Sequence, residues 1–61
     1  EFIKQLLGMK EADAKVLIWA NNYLSRVVHR DGEDFMVTAD YRYNRINLYI
    51  NGGIVTDATV G

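Results

Sequence analysis

Residues 36–50 read Met36-Val37-Thr38-Ala39-Asp40-Tyr41-Arg42-Tyr43-Asn44-Arg45-Ile46-Asn47-Leu48-Tyr49-Ile50, and the fold turns on how they divide. In the second part Ile46, Leu48 and Ile50 alternate with Asn47 and Tyr49. A period of two marks a half-buried β-strand. The first part behaves differently. An extended apolar and Thr-rich run meets Asp40, then Arg42 and Arg45, with no Pro, Gly or Cys among them. Tethered this closely to a strand, it reads as a long exposed loop held in shape by its own charges.

Working upstream, Arg26-Val27-Val28-His29-Arg30 is a short β-branched strand, and Asp31-Gly32 after it is a turn signal. Two strands flanking residues 31–45 can run parallel, because a parallel crossover needs about a dozen residues. Connections this long without regular structure are usually functional or disordered. Phe35, Met36, Val37, Tyr41 and Tyr43 are not disorder-promoting, so function is the better reading. Residues 10–22 read as the one helix. Glu11 and Asp13 suit its N-terminal dipole, Ala14, Leu17, Ile18 and Asn21 share a face, and Asn21-Asn22 stops it. Before it, Phe2, Ile3, Leu6 and Leu7 form a turn-like lead-in ending at Gly8. Downstream, Asn51-Gly52-Gly53 is a tight turn and Ile54-Val55-Thr56 begins a last short strand. The order gives one α+β domain over residues 1–61. One helix packs on a small mixed sheet, with a long exposed loop between two parallel strands.

Sixty-one residues bury only a small core, and chains of this size usually carry a disulfide or a metal. With no Cys and His29 as the single His, this chain is disulfide-free, and neither a thiolate nor a His-rich metal site is expected. Seven basic against eight acidic residues leave a net charge of −1, which argues against a nucleic-acid partner. The longest apolar run, Val16 to Ala20, is far too short to span a membrane, so no membrane partner is expected. Neither a signal-peptide pattern nor a starting Met is present, and a processed or excised form is the expectation.

Several residue groups carry chemistry in principle. Ser25, His29 and Asp31 sit on a two-residue phase, but a triad needs exact mutual hydrogen bonds and an oxyanion hole, and no Gly-rich elbow is present. An edge strand with polar residues explains them better, and no enzyme or cofactor is expected. Asp31-Gly32-Glu33-Asp34 lacks the ligand pattern of a calcium loop and reads as a solvated turn. Arg26, Arg30, Arg42 and Arg45 with Tyr41, Tyr43 and Tyr49 would make a stacking surface for RNA only against the acidic balance. On the helix, Ala12, Val16, Trp19, Ala20 and Tyr23 fall opposite the core stripe, at about 100° per residue. That composition belongs to an interface, here a candidate homodimer surface. The competing readings are that Phe2 and Ile3 fold back over Trp19, or that Tyr23 lies beyond the helix end.

The chain resembles the potato inhibitor I family of serine-protease inhibitors over nearly its whole length. The likeness runs from Leu6-Leu7-Gly8 through Ala14-Lys15 and Ile18 to Val60-Gly61. It is sharpest at Val37-Thr38-Ala39-Asp40-Tyr41-Arg42-Tyr43-Asn44-Arg45, where the family reads roughly Val-Thr-x-acidic-Tyr-Arg-x-acidic/Asn-Arg. The resemblance implies a substrate-like reactive loop of Met36, Val37, Thr38, Ala39, Asp40, Tyr41 and Arg42. Ala39 would enter the protease's primary specificity pocket and Asp40 would follow the scissile bond. A short side chain suits subtilisin-like and elastase-like enzymes and leaves a trypsin-like pocket unsatisfied. Loop support would come from Arg45, Asn47 and Gly61, with Arg45 tying Asp40 and the Thr38 region to the body. The family carries a second arginine where this chain has Asn47, so Asn47→Arg is expected to strengthen inhibition. The Asn51-Gly52-Gly53 turn is also shorter than its equivalent in the family. The alternative function is a non-inhibitory interaction module on the same fold, self-associating through the outer helix face.

Overall fold

A computed structural model describes residues 2–61. Two helices, α1 (Phe2–Leu6) and α2 (Glu11–Ala20), precede four strands, β1 (Leu24–Arg30), β2 (Glu33–Asp34), β3 (Arg45–Asn51) and β4 (Ile54–Val60). The strands lie in one sheet in the order β2-β1-β3-β4. β1 and β3 pair in parallel, whereas β2 on β1 and β4 on β3 are antiparallel. This is the expected α+β architecture: one main helix on a small mixed sheet, with a long connection, residues 31–44, between the parallel strands β1 and β3; it carries the two-residue β2, and residues 35–44 after β2 are its exposed, irregular part.

The helix runs from Glu11 to Ala20, shorter than the expected 10–22. Its C-terminus closes because Asn22 takes a left-handed φ of 65°. Asn22 N–H then donates to Trp19 O and Tyr23 N–H to Ile18 O, at 3.0 and 3.1 Å. This pairing consumes carbonyls that the helix end leaves free. At the other end Lys10 offers no side-chain cap, and the hairpin substitutes: Glu11 N–H donates to Gly53 O at 2.9 Å. The lead-in is a five-residue helix and not a turn. It buries Leu6, and Gly8 N–H ties its end to Val55 O at 2.8 Å.

Alternation in β3 fixes the layers. Ile46, Leu48 and Ile50 are fully buried and meet Leu6, Ala14, Ile18, Val55 and Ala58 in the core, with Phe2, Ile3, Met9, Leu17, Tyr23 and Val27 packed around it. The odd residues Arg45, Asn47 and Tyr49 therefore face away from the helices. The β3–β4 hairpin turns at Gly52-Gly53, both with positive φ (60° and 77°), which suits the twist of a two-residue hairpin loop. β1 and β4 are each longer than expected, seven residues apiece.

Candidate functional site

The loop hangs from the sheet face opposite the helices. It begins where Phe35 N–H donates to Val28 O at 3.0 Å and ends where Leu24 N–H donates to Asn44 O at 2.8 Å. Between these anchors, residues 36–41 make no backbone–backbone hydrogen bond among the described residues. Met36 is fully exposed, and Tyr41 and Tyr43 are 71% and 79% exposed. The expected reactive residues Met36, Val37, Thr38, Ala39, Asp40, Tyr41 and Arg42 thus lie together on one exposed segment. What holds it must be side chains.

Arg45 is the first of these. It opens β3 on the loop side and is only 9% exposed, the one charged side chain in the buried set among the described residues. Burying a guanidinium is costly unless its donors are satisfied. Here Nη2 donates to the main-chain oxygens of Asp40 at 2.7 Å and Gly61 at 2.6 Å, and Nε donates to Gly61 O at 3.1 Å. Nη1 lies 3.6 Å from the Asp40 carboxylate. One planar fork therefore clamps the loop to the end of β4. Gly61 closes the ring, donating its N–H to Arg45 O at 2.9 Å and accepting from Arg42 N–H at 3.2 Å. Its φ of +145° is one that L side chains rarely adopt, and an added Cβ would sit at ordinary contact distance from Asn47 and Tyr41.

Asp40 is the hub on the loop side. Arg42 Nε donates to its carboxylate at 3.1 Å. Its carboxyl is held down to a pKa of about 2, chiefly by the Thr38 hydroxyl, then by the Arg42 guanidinium, with lesser help from the Arg45 charge and its own backbone N–H. Hydrogen bonds and opposite charge both favour the ionised form, and the small desolvation acts against them.

Arg45 does not reach Thr38, contrary to expectation. Arg26 does. It stands on β1 directly beside Asn47 in the parallel register, and its Nε donates to Asn47 Oδ1 at 3.0 Å. Its Nη1 lies 3.4 Å from both Thr38 O and Thr38 Oγ1. Asn47 Nδ2 in turn donates to Thr59 Oγ1 on β4 at 3.4 Å. A polar row thus crosses the sheet from Thr59 through Asn47 and Arg26 to the loop. Sequence reasoning missed this role, because nothing local to Arg26 signals which β3 residue it faces.

The other candidates separate. A register shift between Val27 and His29 puts Ser25 beside Ile46 and His29 beside Tyr49, so the two leave their shared phase for opposite sheet faces. His29 Nδ1 meets Asp34 at 2.7 Å, while Asp31 Oδ1 accepts from Gly52 N–H at 2.8 Å. The three do not form a triad. Arg30 is drawn to the opposite face, where it pairs with Glu11, which also holds Lys15 at 2.8 Å. The arginines therefore do not gather on one surface. On the outer helix face Val16 and Trp19 are 70% and 74% exposed, and Ala12 and Ala20 are exposed beside them. Tyr23 leaves that stripe: it lies past the helix end and stacks on Phe2, centroids 5.4 Å apart. The fold-back therefore covers Tyr23 and leaves Trp19 open, beside a cleft of about 270 Å³ lined by Trp19, Asn22, Tyr23, Leu24 and Asn44.

No family model, no curated protein and no solved structure matches the chain.

Proposed function

We propose that this protein is a serine-protease inhibitor that presents residues 36–42 as a substrate-like loop, with Ala39 as the primary specificity residue. The observation that carries the reading is the bracing of Asp40. Its main-chain oxygen is held by Arg45, its carboxylate by Arg42, and Arg45 is itself locked to Gly61. The segment before it is exposed and free of regular structure, open to a protease cleft.

The chemistry follows from that bracing. The protease serine attacks the Ala39 carbonyl carbon, the Ala39–Asp40 peptide bond breaks, and the Asp40 amine is the leaving group. In an ordinary substrate that amine diffuses away. Here Asp40 stays tied to the sheet, so its amine remains beside the acyl-enzyme ester, attacks it and restores the peptide bond. Religation then competes with hydrolysis. A loop ordered before binding also loses little entropy when it docks, so more of the contact energy appears as affinity. Titration of subtilisin, elastase, chymotrypsin and trypsin with the pure domain tests the reading. Tight inhibition of a subtilisin-like or elastase-like enzyme with little effect on trypsin is expected. Absence of inhibition across all four enzymes contradicts it.

A second reading is favoured by one observation, the exposed Trp19 beside Val16 on the outer face of the helix. It is a non-inhibitory interaction module that pairs with a second copy of itself there. Sedimentation over a wide concentration range separates the readings, since a strictly monomeric domain removes this one.

A further inference from the structure

We infer that Arg26 is the second positioning arginine of the loop, reaching it from the neighbouring strand, and that Asn47 is the residue that aims it. This rests on the inhibitory reading for its consequence and on the loop contacts for its substance.

Two clamps divide the loop at Ala39. Asp40, after the proposed scissile bond, is held from β3 by Arg45. Thr38, before it, is within 3.4 Å of Arg26 through both its main-chain oxygen and its hydroxyl. Between the Phe35 anchor on Val28 and Ala39, the hydrogen bonds that tie the acyl side to the sheet among the described residues are these Arg26 contacts. Arg26 suits the task by shape. Its fork points Nε at Asn47 and Nη1 at Thr38 at once, which a lysine ammonium at the end of a flexible stem cannot copy. The Thr38 hydroxyl accepts from Arg26 and is the largest influence holding the Asp40 carboxyl below its usual range. Exposed contacts of this length tighten when a protease cleft excludes water, because a charge-assisted bond strengthens as the local dielectric falls.

Asn47 is then no gap in the support. Arg26 and Asn47 are direct cross-strand partners, and Asn47 is anchored from behind by Thr59. An arginine placed at 47 would set two guanidinium groups opposite each other, and like charges in that position repel.

Four variants test this by three readouts: the inhibition constant against subtilisin, backbone amide relaxation of residues 37–40, and the thermal midpoint. Arg26→Ala is expected to weaken inhibition roughly ten- to hundredfold, the span of one or two charged hydrogen bonds. Residues 37–40 should become mobile while the midpoint moves by only a few degrees. Arg26→Lys keeps the charge and should follow Arg26→Ala, and it stands in if the alanine variant fails to fold. Asn47→Arg alone should not improve inhibition. Arg26→Ala combined with Asn47→Arg should recover part of the loss, because the single guanidinium then comes from β3. Unchanged inhibition and unchanged amide order in Arg26→Ala and Arg26→Lys overturn the inference, as does tighter inhibition by Asn47→Arg alone. If the unsubstituted protein inhibits nothing, the functional reading falls by itself. Amide relaxation still decides Arg26: a quiet Thr38 that loosens on its removal sustains the role, and equal mobility removes it.

Discussion

Arg45 is a buried charge whose partners are main-chain oxygens of the loop and of Gly61. Its removal should therefore damage the loop more than the core. Arg45→Ala is expected to cost about 1.5–3 kcal/mol of binding, roughly ten- to hundredfold in inhibition constant, with a smaller loss of folding stability. Denaturation and inhibition measured on one preparation check this, and a lower midpoint with unchanged inhibition would count against it. Asp40 gives a pH prediction with a definite sign. Its folded pKa lies near 2, below the ordinary 3.8 of an aspartate, so the order it contributes is present above 3.8. That order is lost as the pH falls towards 2 and through it. A carboxyl-detected NMR titration should place its midpoint near 2 and show the loop still ordered at pH 4, and a midpoint at or above 3.8 contradicts the bracing. Ala39→Lys should turn preference towards trypsin, whose pocket carries an acid. A variant with unaltered preference shows that residue 39 does not enter the specificity pocket.

At the scale of elements, much of the fold was legible. Ile46, Leu48 and Ile50 alternate cleanly, and that period made β3 readable and put Arg45 and Asn47 on the far face. The Asn51-Gly52-Gly53 turn was readable because both glycines are needed where φ is positive. The five-residue α1 was not, since Phe2 to Leu6 is too short to display a helical period. The extent of α2 was overread by three residues, because Lys10 is its N-cap and Asn21 and Asn22 belong to its C-terminal cap. Of the site, Arg45 and Asp40 were visible as a local string of charge and strand. Arg26 was not, because its role depends on a parallel register between strands separated by the whole loop, which no local pattern displays. β3 also carries the core. Leu48→Ala is expected to destabilise the domain by about 2–5 kcal/mol, the usual cost of emptying a sealed site, and chemical denaturation reads it directly. A loss below about 1 kcal/mol would mean that the core closes over the cavity.

Taken as a whole, the molecule has two working sides. The helices and their apolar contacts cover one face of the sheet, and Arg26 and Arg45 on the other hold the loop. With no cysteine, order on the loop side rests on three guanidinium groups, from β1, the loop itself and β3. Such a loop should tolerate reducing agents completely. The measurement that bears most directly on the inhibitory reading follows the Ala39–Asp40 bond during incubation with catalytic amounts of subtilisin, by mass spectrometry, while residual protease activity is recorded. A braced, religating loop should suppress activity at near-equimolar ratio, with slow nicking confined to Ala39–Asp40 and an equilibrium between intact and nicked chains. Rapid and complete cleavage there, with protease activity undiminished, would show an ordinary substrate loop and contradict the inhibitory reading.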